Sequence, residues 1–146
     1  MHAPDFSLPG TTPVGDGMYA LAAQRGKPVV LAFYHGDDRP VCARQMRSYQ
    51  RDLAMLDEVG AVLWGLSPQS LESHRAFATQ EGLSFPLLVD DDQQVATAYE
   101  VNGKKRVRRA TFVIDAEGIV RWRSVSPLGM TYDDVKTIAK VVASAH

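Results

Sequence analysis

Val29-Val-Leu-Ala-Phe-Tyr-His-Gly-Asp-Asp-Arg-Pro-Val-Cys42-Ala-Arg-Gln-Met-Arg-Ser-Tyr49 is the stretch on which the reading of the chain turns. Its first six residues, Val29 to Tyr34, form an unbroken apolar run rich in β-branched and aromatic side chains, the pattern of a strand buried on both faces. The run empties into a polar loop containing Gly36 and Pro40. From Ala43 onward Met46, Tyr49, Leu53 and Leu56 recur at spacings of three and four, which predicts a helix. The only cysteine, Cys42, therefore falls at or just inside the first turn of that helix.

That position matters chemically, because only the thiolate is nucleophilic and a free thiol is mostly protonated at neutral pH. Unpaired N–H groups and the helix dipole supply roughly 0.5–2 kcal/mol at such a terminus, too little by themselves. A guanidinium has to add the rest. Arg39 and Arg44 are close in sequence, whereas Arg109 has to be delivered by the fold. The competing reading is an inert buried cysteine, since free cysteine is among the most buried residue types.

Outward from this stretch, the bulk numbers describe an ordinary globular chain. Its 146 residues suffice for one domain, 1–146, with a proper core, and 45% hydrophobic with 23% charged residues argues against disorder. A net charge of -1 gives no general attraction to nucleic acid or anionic membranes. The opening Met1-His-Ala-Pro-Asp5 lacks a basic stretch followed by an apolar one, and no apolar run approaches the length of a membrane span. The expected location is the cytoplasm. A single cysteine excludes an internal disulfide, a Cys-X-X-Cys dithiol and a cysteine-rich zinc site, so redox chemistry has to borrow its second thiol.

Upstream, Ala3 to Pro13 carries three prolines and a glycine and reads as a lead-in, although Phe6 and Leu8 alternate as an edge strand would. Met18 to Leu21 is a short strand or turn, stopped by Gly26 and Pro28. Downstream, Ala61 to Leu66 is a second buried strand, and a helix begins with Ser67 as N-cap and Pro68 at its first position, running to about Gln80 before Gly82. Phe85 to Val89 is a third strand, and Asp90-Asp-Asp-Gln93 opens the next helix. A basic loop, Asn102 to Arg109, leads to the strand Ala110 to Ile114, which turns through Asp115-Ala-Glu-Gly118 into a hairpin with Ile119 to Arg123. Thr131 caps a last helix whose face is Val135, Ile138, Ala139 and Val142. Alternation of strands and helices requires a mostly parallel sheet covered by helices, with antiparallel strands added by the hairpin, and ligands gather at the carboxyl ends of such strands. The fold class is α/β, and Cys42 lies where chemistry is expected.

Five segments in this order resemble the peroxiredoxins of the alkyl hydroperoxide reductase and thiol-specific antioxidant family, most closely the bacterioferritin-comigratory-protein type. They are Ala3-Pro-Asp-Phe-Ser-Leu-Pro9, Gly26 to Tyr34, Ser67 to Phe77, Phe85 to Asp90 and Thr111-Phe-Val-Ile-Asp-Ala-Glu-Gly118. The resemblance covers nearly the whole chain and implies a thioredoxin-like fold, a central mixed sheet flanked by helices. It assigns the peroxidatic cysteine to Cys42 and the family arginine to Arg109. The family motif Pro-x-x-x-Thr-x-x-Cys reads here His35-Gly-Asp-Asp-Arg39-Pro-Val-Cys42, so the proline and threonine are replaced by His35 and Arg39. Arginine offers donors but no acceptor, and does not reproduce the hydroxyl's two roles. Position 47, where many relatives carry a resolving cysteine, is Arg47.

What the resemblance implies is a one-cysteine peroxidase without cofactor or metal. Cys42 attacks hydrogen peroxide or an organic hydroperoxide, Arg39 and Arg109 hold the developing charge, and His35, Pro40 and Val41 line the substrate site. An external thiol, whether thioredoxin, glutaredoxin or a low-molecular-weight thiol, reduces the sulfenic acid. The protein is then a monomer or homodimer without nucleic-acid or membrane partners, its sulfur in a pocket that peroxide reaches. Asp37 and Asp38 oppose a thiolate if their carboxylates lie close to it. Two other readings stay open: a homologue that has lost peroxidase activity and serves as a redox-sensing or binding module, and a different thiol chemistry such as thiol transfer or metal delivery. His35, Asp37, Asp38 and Cys42 are a weak metal set, because further converging His or Cys ligands are missing. His35 is a general base or a pH-sensitive partner of Cys42 or, more simply, a histidine bonded to backbone. His74, on an apolar helix face, reads as a satisfied core-edge histidine. The basic loop at 104–109 lacks the interleaved aromatics of a nucleic-acid site.

Overall fold

Strand β3 (Val29–Phe33) is buried along its whole length, as its apolar run requires. The computed structural model describes residues 1–37, 39–103, 107–126 and 131–145. Before β3 come β1 (Ser7–Thr12), β2 (Gly15–Ala20) and a 3-10 turn at Leu21–Gln24. After it follow α1 (Pro40–Arg51), α2 (Leu53–Glu58), β4 (Val62–Ser67), α3 (Leu71–Glu81), β5 (Leu87–Val89) and α4 (Gln94–Ala98). The chain closes with β6 (Ala110–Ile114), β7 (Val120–Val125) and α5 (Val135–Ser144). The strands form a seven-stranded sheet in the order β2-β1-β5-β4-β3-β6-β7. β3 runs parallel to β4, and β4 to β5, while β6 pairs antiparallel with β3 and β7 with β6. This is a mixed, helix-flanked α/β sheet, but not the mostly parallel one expected: only β3–β4 and β4–β5 are parallel, because β1 inserts antiparallel beside β5 and β6 returns antiparallel beside β3.

The two faces of β3 seed two cores. Val30, Ala32 and Tyr34 join Cys42, Met46 and Tyr49 of α1, Phe77 of α3 and Ile138 and Val142 of α5. Val29, Leu31 and Phe33 join Trp64, Val95 and Tyr99 on the opposite side. The period-two alternation of a strand divides the run this way, and burial on both faces explains why the sequence shows no polar position within it.

Several local expectations are corrected. The segment read as a lead-in contains β1, which lies inside the sheet between β2 and β5. The single helix expected from Ala43 through Leu56 is two, interrupted at Asp52, whose φ of -105° and ψ of 14° leave the helical basin. Ser67 does not cap α3, because it ends β4 opposite Val89, and Ser70 accepts the Ser73 N–H instead. The cap of α5 is Asp134, accepting from Thr137 N, rather than Thr131. The helix after β5 begins only at Gln94, where the Asp90 carboxylate accepts the N–H groups of Val95 and Ala96. Gly82 ends α3 at a φ of 68°, a left-handed position that favours glycine. Asp38 and the middle of the basic loop, 104–106, lie outside the described residues.

Candidate active site

Cys42 is the third residue of α1, whose first residue is Pro40, a position where the missing N–H costs nothing. Arg39 is the N-cap in extended conformation and gives no side-chain cap. A guanidinium has no acceptor to offer the first-turn N–H groups, so an anion at Cys42 does not compete with a capping side chain there. His35 and Val41 are half-buried, and Arg39, Pro40 and Arg44 are exposed.

The fold delivers Arg109 to the sulfur from 67 residues away: Nη2 donates to Cys42 Sγ at 3.1 Å. Arg109 precedes β6, and its backbone is pinned where its carbonyl accepts from Ser126 N at 2.8 Å. The second prong of the guanidinium, Nη1, donates to Gln45 Oε1. Gln45 Nε2 in turn donates to Tyr49 Oη at 3.0 Å, and Tyr49 donates to the carbonyl of Asp133 at 2.9 Å, just ahead of α5. Burial above all pushes the Tyr49 hydroxyl up to about 12, so it remains a donor at neutral pH. The guanidinium is thus clamped between a sulfur and an amide oxygen, a forked geometry an ammonium does not reproduce.

Sequence reasoning missed Gln45. The signal was present, because Gln45 stands three residues after Cys42 and four before Tyr49, a polar side chain on the buried face of α1. A buried amide there needs partners, and Arg109 and Tyr49 supply them.

Two further expectations change. The sulfur has no exposed surface: Cys42 is 0% and Arg109 2% exposed. A pocket of about 190 Å³ reaches Arg109, Thr111, Ser124 and Tyr132, but Cys42 is absent from its lining. Nor does the Asp37 carboxylate stand as a bare charge near the thiol. Tyr34 Oη donates to Oδ1 at 2.7 Å, Ser73 Oγ to Oδ2 at 2.7 Å, and His74 Nδ1 lies 2.7 Å from Oδ2. His74 is fully buried, with Nε2 2.9 Å from the Leu88 carbonyl, and is satisfied as expected. Among the described residues, no group of three or more His, Cys, Asp or Glu is placed to hold a metal ion. No helix of the described residues is long and apolar enough to cross a membrane.

Comparison with known proteins follows the same lines as the geometry. The model of the AhpC/TSA family matches residues 1–123. The chain is 36% identical over 126 residues to a protein named putative peroxiredoxin bcp from Coxiella burnetii, covering 81% of this chain and 82% of that one. It is likewise 36% identical over 133 residues to peroxiredoxin Bcp of Bacillus subtilis, covering 84% and 83%. Among solved structures, reduced Plasmodium vivax 2-Cys peroxiredoxin superposes with a TM-score of 0.89 at 25% identity, over 97% of this chain and 91% of that one. Enterococcus faecalis AhpC gives 0.90 at 23% identity, over 99% and 90%, a likeness of fold alone.

Proposed function

Because the chain belongs to the AhpC/TSA family, as a peroxiredoxin of the Bcp type, we propose that it is a one-cysteine, thiol-dependent peroxidase acting through Cys42. The observation that supports the reading best is the 3.1 Å hydrogen bond from Arg109 to the sulfur. The Cys42 thiolate attacks the terminal oxygen of hydrogen peroxide or an organic hydroperoxide. The S–O bond forms as the O–O bond breaks, and the electron pair leaves on the distal oxygen, which takes a proton to become water or an alcohol. Negative charge develops on both oxygens, which is what the Arg109 guanidinium is suited to hold. Arg39 at the N-cap adds a second cation at the rim, and His35, Pro40 and Val41 line the approach. The sulfenic acid then condenses with an external thiol, releasing water, and a second thiol expels reduced Cys42 and a disulfide. No other cysteine is present to do this. Thioredoxin, glutaredoxin or a small thiol fits the role, in a monomer or homodimer working in the cytoplasm.

One observation favours a second reading, a redox-sensing or binding module without turnover: the sulfur is fully buried, and His35 and Arg39 stand where the motif has proline and threonine. The two are separated by following peroxide loss with excess dithiothreitol in wild type and Cys42→Ser, together with the intact mass after peroxide treatment. Catalytic loss in wild type alone supports the peroxidase. Equal rates with one oxygen or a thiol adduct gained at Cys42 support the sensor. Equal rates with an unmodified mass overturn both.

A further inference from the structure

The carboxylate of Asp37 is the meeting point of a buried polar cluster that the chemistry above does not use. Its side chain is 5% exposed and that of His74 0%. Tyr34, which leaves β3 and shares a core cluster with Cys42, donates from Oη to one oxygen. Ser73 and His74, from the first half of α3, engage the other. Both ring nitrogens of His74 face acceptors, the Asp37 carboxylate and the Leu88 carbonyl of β5. Burial first, and then the Asp37 charge, hold the Tyr34 hydroxyl well above the ordinary tyrosine range, so it stays a donor. Tyr34 at the end of β3 and Ser73 and His74 of α3 therefore meet at Asp37, five residues before Cys42, and His74 links the cluster on to the Leu88 carbonyl of β5.

This position matters because the sulfur has no exposed surface. A reagent with the bulk of iodoacetamide therefore reaches Cys42 when the chain around it moves. A carboxyl group held at once by a hydroxyl, a phenol and an imidazole is costly to detach, since three partners have to be given up together. We infer that Asp37, held by Tyr34, Ser73 and His74, is the positioning anchor of the β3–α1 connection and sets how often Cys42 becomes reachable. The reading does not depend on peroxidase activity, because any thiol reagent meets the same barrier.

The test uses the full chain and iodoacetamide as probe, with hydrogen exchange of residues 35–43 measured beside it. Asp37→Asn puts an amide nitrogen or a weaker acceptor opposite donors, and Ser73→Ala removes one bond at the edge of the cluster, the milder change if Asp37→Asn folds poorly. Asp115→Asn, in the β6–β7 turn, serves as a control that weakens the fold elsewhere. Alkylation of Cys42 is expected to accelerate about tenfold or more in Asp37→Asn and a few-fold in Ser73→Ala, with faster exchange confined to residues 35–43. Wild-type rates in the folded variants overturn the proposal. So does an equal acceleration in Asp115→Asn at matched stability, because the thiol would then be reached through global unfolding. Faster alkylation without faster exchange also overturns it, since that is a change in sulfur reactivity rather than access. Whether peroxide is turned over alters none of these outcomes.

Discussion

Replacing Arg109 by methionine removes the cation from the sulfur while keeping an unbranched stem that reaches as far as the arginine Nε. The lost contact is a hydrogen bond from a guanidinium to sulfur at 3.1 Å, buried with 2% of the arginine exposed. A hydrogen bond to a charged partner is worth about 1.5–3 kcal/mol. At about 1.36 kcal/mol per tenfold, the rate of Cys42 oxidation by peroxide should fall roughly 10- to 160-fold at pH 7. Unfolding is not the expected cause. Methionine keeps the apolar stem packed, although the space of the guanidinium is vacated and Gln45 Oε1 loses its Arg109 donor at a cost of about 1–3 kcal/mol, which the urea midpoints will register. Arg109→Lys keeps the charge but not the fork that reaches Sγ and Oε1 together, so its loss should be intermediate. The assay is single-turnover loss of the free thiol under excess hydrogen peroxide, with urea midpoints measured in parallel. If Arg109→Met reacts within about threefold of wild type while still folded, Arg109 does not hold the reacting charge and the account of the site is wrong.

Two predictions concern the scaffold. Burial by itself would raise Asp115, but the Ile119 N–H, the Arg121 guanidinium and the Glu117 N–H outweigh it and hold the carboxyl below its usual range. The stability it contributes is therefore present above the ordinary carboxylate range and lost as pH falls through the depressed folded value; urea midpoints between pH 7 and 3 should decline less steeply in Asp115→Asn. At Gly65 in β4, a methyl group would lie 2.9 Å from Leu87 Cδ2 and 3.4 Å from the Tyr34 ring. Gly65→Ala should cost about 1–3 kcal/mol by overpacking, and an unchanged urea midpoint would show that the sheet relaxes around it.

The sequence revealed most where a single physical demand ruled a segment. The run from Val29 to Phe33 has to be buried on both faces, and β3 is. Arg109 was legible because a thiolate requires a cation and the family resemblance pointed to one residue. Helix starts were less legible, since Ser67 and Thr131 are good caps in isolation. Ser67 is claimed by its pairing with Val89, and Ser70 and Asp134 cap instead. β1 was hidden by its proline and glycine, which signal a break unless partner strands on both sides supply the pairing. The environment of Asp37 was invisible for a similar reason: its partner His74 is 37 residues away, and nothing local in the sequence points to it. Burial of the sulfur depends on how β3, α1 and α3 close around it, and no local pattern carries that.

The bonds running from Arg109 through Gln45 and Tyr49 end on the carbonyl of Asp133, the residue before the cap of the final helix. That helix packs in the same core cluster as Cys42 and stands behind the last carbonyl of this series. Asp133 and the helix that follows it, Val135–Ser144, thus belong to the frame behind the contact between Arg109 and the sulfur.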